Sequence, residues 1–211
     1  LKKLLPFYII FLSYAVVMGI LLIIYPKGTM ELWVNKHVRF DAGFYWITFL
    51  GDGIFFVLVS LLIAWYHKRW GLFAFVCFAV TGILAQFLKG MVFSDSPRPQ
   101  AFFGESVPLH YVAGVIIHTS NSFPSGHTIS AFSLATVLSL YGRQGWIGPV
   151  CILCAILVGF SRVYLLQHFF IDTYFGACIG VSITLLLFQI SKKQIQKTER
   201  WGDWAYRKNQ N

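Results

Sequence analysis

Residues 147–166 read IGPVCILCAILVGFSRVYLL, an apolar run with one charge, Arg162, near its end. A bilayer crossing needs about 20 such residues. In lipid a lone segment must satisfy its own backbone hydrogen bonds, so the run is expected to be a helix. Five more runs of similar character lie at 5–25, 45–66, 72–93, 125–140 and 169–190. The run at 125–140 is short and polar at its start, so that end is expected to face protein or water. The chain of 211 residues is 57% hydrophobic and 12% charged. A soluble domain carries about twice that charge. The expected architecture is all-α, a six-transmembrane helix bundle forming one domain over 1–211. No repeat, low-complexity tract or linker divides it. The first run follows Lys2 and Lys3. It is long and has no obvious small-residue cleavage site, so it reads as a retained helix and not a signal peptide.

The net charge of +9 raises nucleic acid as a partner. Its distribution argues instead for membrane anchoring, because much of it sits at chain ends and in short loops between apolar runs. With the N-terminus inside, the inner segments hold Lys2, Lys3, Lys68, Arg69, Arg143 and a tail of Lys192, Lys193, Lys197, Arg200, Arg207 and Lys208. The outer side holds Lys27, Lys36, Arg39, Lys89, Arg98 and Arg162. This imbalance predicts both termini on the cytoplasmic side. The tail reads as a flank beside anionic headgroups or as a solvated end. The cysteines Cys77, Cys151, Cys154 and Cys178 all fall in apolar runs and read as buried free thiols, with no redox or metal role for Cys151 and Cys154.

Two outer connections are long, 26–44 and 94–124. In the second, the apolar stretch 111–117 is too short to cross and reads as interfacial or re-entrant.

Ionisable groups near membrane depth are costly, which makes them functional candidates. They form three clusters: Lys89 to Arg98-Pro99, then Pro124-Ser125-Gly126-His127, then Ser161-Arg162 to His168 and Asp172. The predicted topology brings all three to the outer ends of spans. Lys89, Arg98 and Arg162 can neutralise a phosphate dianion, and arginine adds a fork matched to its oxygens. Ser125 and Gly126 open a helix, where backbone N–H groups and the dipole favour an anion. His168 and Asp172 stand at i and i+4, on one helical face. The carboxylate can then hold one imidazole nitrogen while the other attacks phosphorus. His127 remains as general acid for the leaving oxygen, and later as base for water.

These motifs resemble the signature of the type 2 phosphatidic acid phosphatase superfamily, which also includes bacterial acid phosphatases and vanadium haloperoxidases. The second and third clusters match it without a gap at 124–127 and 161–172, and the resemblance covers about residues 85 to 190. It implies phosphate binding by Lys89, Arg98, Ser125, Gly126 and Arg162. It implies His127 as acid, His168 as nucleophile and Asp172 as its partner, with no metal or other cofactor. The first motif departs from the family: eight residues separate Lys89 from Arg98, two more than usual. A bulge or a longer helix end is expected there. Phe169-Phe170 stands where the family often has a proline two residues after the histidine.

The function expected is hydrolysis of a membrane lipid phosphate or diphosphate. The resemblance offers undecaprenyl diphosphate, phosphatidylglycerol phosphate, phosphatidic acid and lipid A phosphate. It places the enzyme in a bacterial inner membrane with its site facing the periplasm. Transfer of the phosphate to a second lipid uses the same intermediate and stays open. An anion transporter is the contrasting reading, opposed by the clustering at one face. Asp52 is a candidate to face the site or cap a helix break, and Asp95 a candidate to orient Arg98, with neither role fixed by the sequence. His110 and His118 read as surface residues of the outer loop, and Tyr164 as packing.

Overall fold

The computed structural model describes residues 4–142 and 144–208, with side chains to residue 195. Among them every regular element is helical. Lys2, Lys3 and Arg143, and the side chains of Lys197, Arg200, Arg207 and Lys208, lie outside the described residues.

Among the described residues nine α-helices follow in order: α1 (Leu5–Ile24), α2 (Thr29–His37), α3 (Asp41–Ile47), α4 (Gly53–Tyr66), α5 (Lys68–Phe87), α6 (Pro99–Phe103), α7 (Gly126–Tyr141), α8 (Ile147–Tyr164) and α9 (Phe170–Lys208). Four helical stretches among the described residues are long and apolar enough to cross a membrane: Leu5–Ile24, Lys68–Val92, Ile147–Tyr164 and Phe170–Ile195. The expected span at 45–66 is instead two pieces, Asp41–Gly51 and Gly53–Tyr66, bent by 55° at Asp52. The break has a local cause. Asp52 is extended and its carboxylate accepts the Ile54 N–H at 2.8 Å, which starts a new helix. The expected span at 125–140 is α7, only 16 residues long. At 1.5 Å per residue it reaches about 24 Å, less than the hydrocarbon core.

That short helix is the centre of the bundle. It packs against α5, α8 and α9 and buries residues on every side. Apolar contact with lipid is no worse than apolar contact with protein, so close backbone approach and polar bridges select the packing. Both occur between α7 and α9. Gly176 and Gly180 are four apart on α9, and a Cβ on Gly180 would stand 2.6 Å from the Ile129 carbonyl oxygen. One turn further, the Ser133 and Thr184 hydroxyls meet at 2.7 Å. Phe7 of α1 packs into the cluster formed by Phe132, Ala135, Ile152 and Ala177. The rest of α1 turns Leu12, Val16 and Ile23 outward, as a lipid-facing helix should.

Stretch 111–117 forms no helix and runs as irregular chain between α6 and α7. One sequence expectation needs correction. The cysteines are free, but Cys154 is exposed and only Cys77 is fully buried. Cys154 sits on the outward face of α8, where an apolar thiol needs no protein cover.

Candidate active site

The C-terminal ends of α5 and α8 and the N-terminal ends of α4, α7 and α9 meet at one end of the bundle. They enclose a cavity of about 440 Å³. Lys89, Arg98, Gly126, His127, Arg162 and His168 all line it. Ser125 and Asp172, both buried, stand behind that lining.

Each residue has a local reason for its position. Lys89 lies in a π-helical turn, Leu88–Val92, that ends α5. Such turns add a residue to a helix and recur at functional sites. This one takes up part of the long spacing between Lys89 and Arg98. Arg98 precedes Pro99, the first residue of α6, and is held by backbone pairing of its N–H to the Thr119 carbonyl at 2.9 Å. Ser125 caps α7, its Oγ accepting from Thr128 N at 3.4 Å and Thr128 Oγ1 at 2.9 Å. A Cβ on Gly126 would meet nothing within 4 Å, so the start of α7 opens freely onto the cavity. Arg162 is in the last turn of α8, and the chain turns at Leu166, with φ of 55°, before His168.

The two arginines are each only 8% exposed. Arg162 donates to Thr48 Oγ1 at 2.7 Å and to Gln167 Oε1 at 3.4 Å, while its buried Nε has no partner among the described residues. Arg98 donates from Nε to the Ser120 carbonyl at 2.9 Å and from Nη1 to Gln167 Oε1 at 2.9 Å. Asp95, one candidate to orient Arg98, is exposed, and backbone carbonyls with the Gln167 side chain hold the guanidinium instead.

His168 is 2% exposed, and its Nδ1 lies 3.4 Å from Asp172 Oδ2. This is ion-pair distance and longer than a good hydrogen bond. Asp172 Oδ2 also accepts from the Ser122 hydroxyl and from the Phe169 N–H at 2.9 Å. Burial first, then Arg162, Lys89 and Arg98, hold the His168 imidazole well below its usual range. It is therefore neutral at physiological pH, the state a nucleophile needs. Across the cavity, His127 Nε2 lies 3.9 Å from Asp52 Oδ2. Asp52 thus both caps the helix break and faces the site.

The sequence matches the PAP2 superfamily over residues 70–196. The chain belongs to the PAP2 superfamily. It is similar to lipid phosphate phosphatase 1 of Arabidopsis thaliana, 30% identical over 152 residues, covering 60% of this chain and 46% of that one. The chain thus spans less than half the length of that plant relative. The crystal structure of Aquifex aeolicus LpxE superposes with a TM-score of 0.67 at 26% identity, covering 77% of this chain and 94% of that one. A transmembrane PAP2 type phosphatidylglycerolphosphate phosphatase from Bacillus subtilis shares the fold, with a TM-score of 0.62 at 21% identity over 92% of this chain and 98% of that one.

Around the PAP2 motifs the structure adds residues that sequence reasoning passed over. Ser122 and Thr48 bond Asp172 and Arg162, but neither stands in a charged cluster. Gln167 touches both arginines and could have been noticed as the polar residue directly before His168. His118, read as a surface residue, is exposed and also lines the cavity. His110 does not line it; its Nε2 lies 3.0 Å from Asp41 Oδ1, and Tyr164, buried as expected, donates its hydroxyl to the same carboxylate.

Proposed function

We propose that this PAP2 protein is a lipid phosphatase that works without a metal, through a phosphohistidine at His168. The observation that carries the reading is Arg162. Its guanidinium is buried with an unpartnered Nε, beside Arg98 and Lys89 at one cavity. An uncompensated buried cation is costly, and an anionic ligand offsets that cost. Phosphate fits the planar fork.

The roles follow from position. Lys89, Arg98, Arg162 and the start of α7 at Ser125 and Gly126 hold the phosphate. His168 Nε2, opposite the nitrogen facing Asp172, attacks phosphorus while the bond to the lipid oxygen breaks. His127 gives that oxygen a proton. Asp172 offsets the positive charge of the phosphorylated imidazole. His127 then takes a proton from water, whose oxygen attacks phosphorus. The P–N bond breaks, and inorganic phosphate leaves with His168 restored.

The substrate is a lipid phosphate or diphosphate, such as undecaprenyl diphosphate, phosphatidylglycerol phosphate, phosphatidic acid or lipid A phosphate. The apolar bundle beneath the cavity and the name of the plant relative support a lipid. We read six crossings with both termini cytoplasmic, counting the bent α3–α4 pair and the short α7. The site then faces the outer side, the periplasm in a bacterial inner membrane. Convergence of the cations on one cavity, and not along a path, disfavours a transporter.

Purified His168→Ala and His127→Ala proteins are expected to keep the wild-type thermal midpoint. Phosphate release should fall at least about a hundredfold in each. Vanadate, a mimic of the pentacoordinate transition state, should inhibit the wild type, and EDTA should not. Full activity of folded His168→Ala would sink the mechanism. Labelled phosphate recovered on a second lipid, and not in solution, would convert the assignment to a transferase.

A further inference from the structure

We propose that Gln167 is a positioning residue that holds the two arginines in register for phosphate without spending their charge. This rests on the phosphatase reading and extends it to Gln167, a position within the third motif whose residue type the family signature leaves open.

Gln167 is 2% exposed. Its Oε1 accepts from Arg98 Nη1 at 2.9 Å and from Arg162 Nη2 at 3.4 Å. Its backbone carbonyl accepts from Arg98 Nη1 at 3.1 Å. On the other side Nε2 donates to the Ile116 carbonyl at 3.1 Å and to the Leu165 carbonyl at 3.5 Å. The amide can sit only one way round, because cationic donors face one end and carbonyl acceptors the other. One side chain, directly before His168, therefore ties the turn after α8 and the loop after α6 to both phosphate cations.

The choice of a neutral amide has a consequence. Two buried guanidiniums repel, and a carboxylate between them is the stronger bridge. A carboxylate would also cancel one positive charge and oppose a phosphate dianion. The amide supplies an acceptor and leaves the pair's full charge to the ligand. Arg162 Nε remains without a partner beside it. Gln167 thus trades stability for anion affinity.

The test uses purified full-chain protein with Gln167→Glu and Gln167→Leu. Orthovanadate binding is read by thermal shift, and phosphate release from dioctanoyl phosphatidic acid gives kcat and KM. Gln167→Glu is expected to melt at or above the wild-type temperature while vanadate affinity weakens about tenfold or more. KM should rise in parallel, with a smaller change in kcat. A merely structural glutamine would not separate stability from anion binding in this way. Folded Gln167→Glu with wild-type vanadate affinity and KM would overturn the proposal. If that variant does not fold, Gln167→Leu decides: weakened vanadate binding supports the role, and unchanged binding overturns it. A wild type that binds vanadate but releases phosphate from no lipid would overturn the phosphatase reading alone, because the vanadate comparison still tests Gln167.

Discussion

His168 sits where folding and chemistry make the same demand on one proton, that it stay off the imidazole. Buried behind three cations, its imidazole is held neutral, whereas in the unfolded chain it titrates near about 6.5. The folded value is depressed, so below about 6.5 the unfolded state binds the extra proton first. Native stability should therefore fall as pH drops through that window. The thermal midpoint in detergent is expected to decline from pH 7.5 to 5.5, and to decline less in His168→Asn. Equal declines would remove His168 as the cause. Asp52 allows a second separation of roles. Asparagine caps a helix about as well as aspartate, so Asp52→Asn should leave the fold intact while removing the carboxylate 3.9 Å from His127. Phosphate release is expected to fall about tenfold, the scale of one exposed charge at that distance. Lys89, His127, Arg162, His168 and Asp172 were readable because each is an ionisable group in or beside an apolar run. Gln167, Ser122 and Thr48 were not, because neutral polar residues are common in membrane helices and only three-dimensional contact gives them meaning.

Helix identity came easily from the sequence and helix breaks did not. The run at 45–66 satisfied every length and hydropathy criterion, yet Gly51-Asp52-Gly53 splits it. Asp52 reads from the sequence as a candidate cap for a helix break, but the apolarity of the run outweighs that cue and favours one unbroken span. The eight-residue spacing after Lys89 was visible as an anomaly, and a π-helical turn is its physical form. The pairing of α7 with α9 had a cue in Gly176 and Gly180, whose purpose appears only beside Ile129. Alanine is the better helix former by about 1 kcal/mol, which alone would make Gly180→Ala stabilising. The new Cβ would stand 2.6 Å from the Ile129 carbonyl, a backbone atom that cannot swing aside. Overpacking costs about 1–3 kcal/mol and wins. Gly180→Ala should lower the thermal midpoint, and Gly180→Leu more so. Activity should drop with it, because the same contact sets the distance between the His127 and His168 helices. A midpoint raised by Gly180→Ala would show that propensity prevails there.

At the scale of the molecule the question is which side of the membrane holds the cavity. The cluster of Lys89, Arg98 and Arg162 lies at one end of the bundle, and Lys68, Arg69, Lys192 and Lys193 lie toward the other end. Arg69 reaches the Gln194 carbonyl, which ties the start of α5 to the far part of α9. Lys89, Arg98 and Arg162 belong to the site, so they do not count as orienting charge. What remains for the cavity side is Lys27, Lys36 and Arg39, against a larger basic set opposite. Positive charge stays on the cytoplasmic side, and the cavity should then open outward. Single cysteines at Lys36 and Lys193, in a chain with Cys77, Cys151, Cys154 and Cys178 replaced by alanine, test this in intact cells. A membrane-impermeant maleimide is expected to label position 36 from outside and to reach position 193 only after lysis. The reverse pattern would turn the protein over and put its phosphate chemistry in the cytoplasm, where a different pool of lipid phosphates would meet the same three cations.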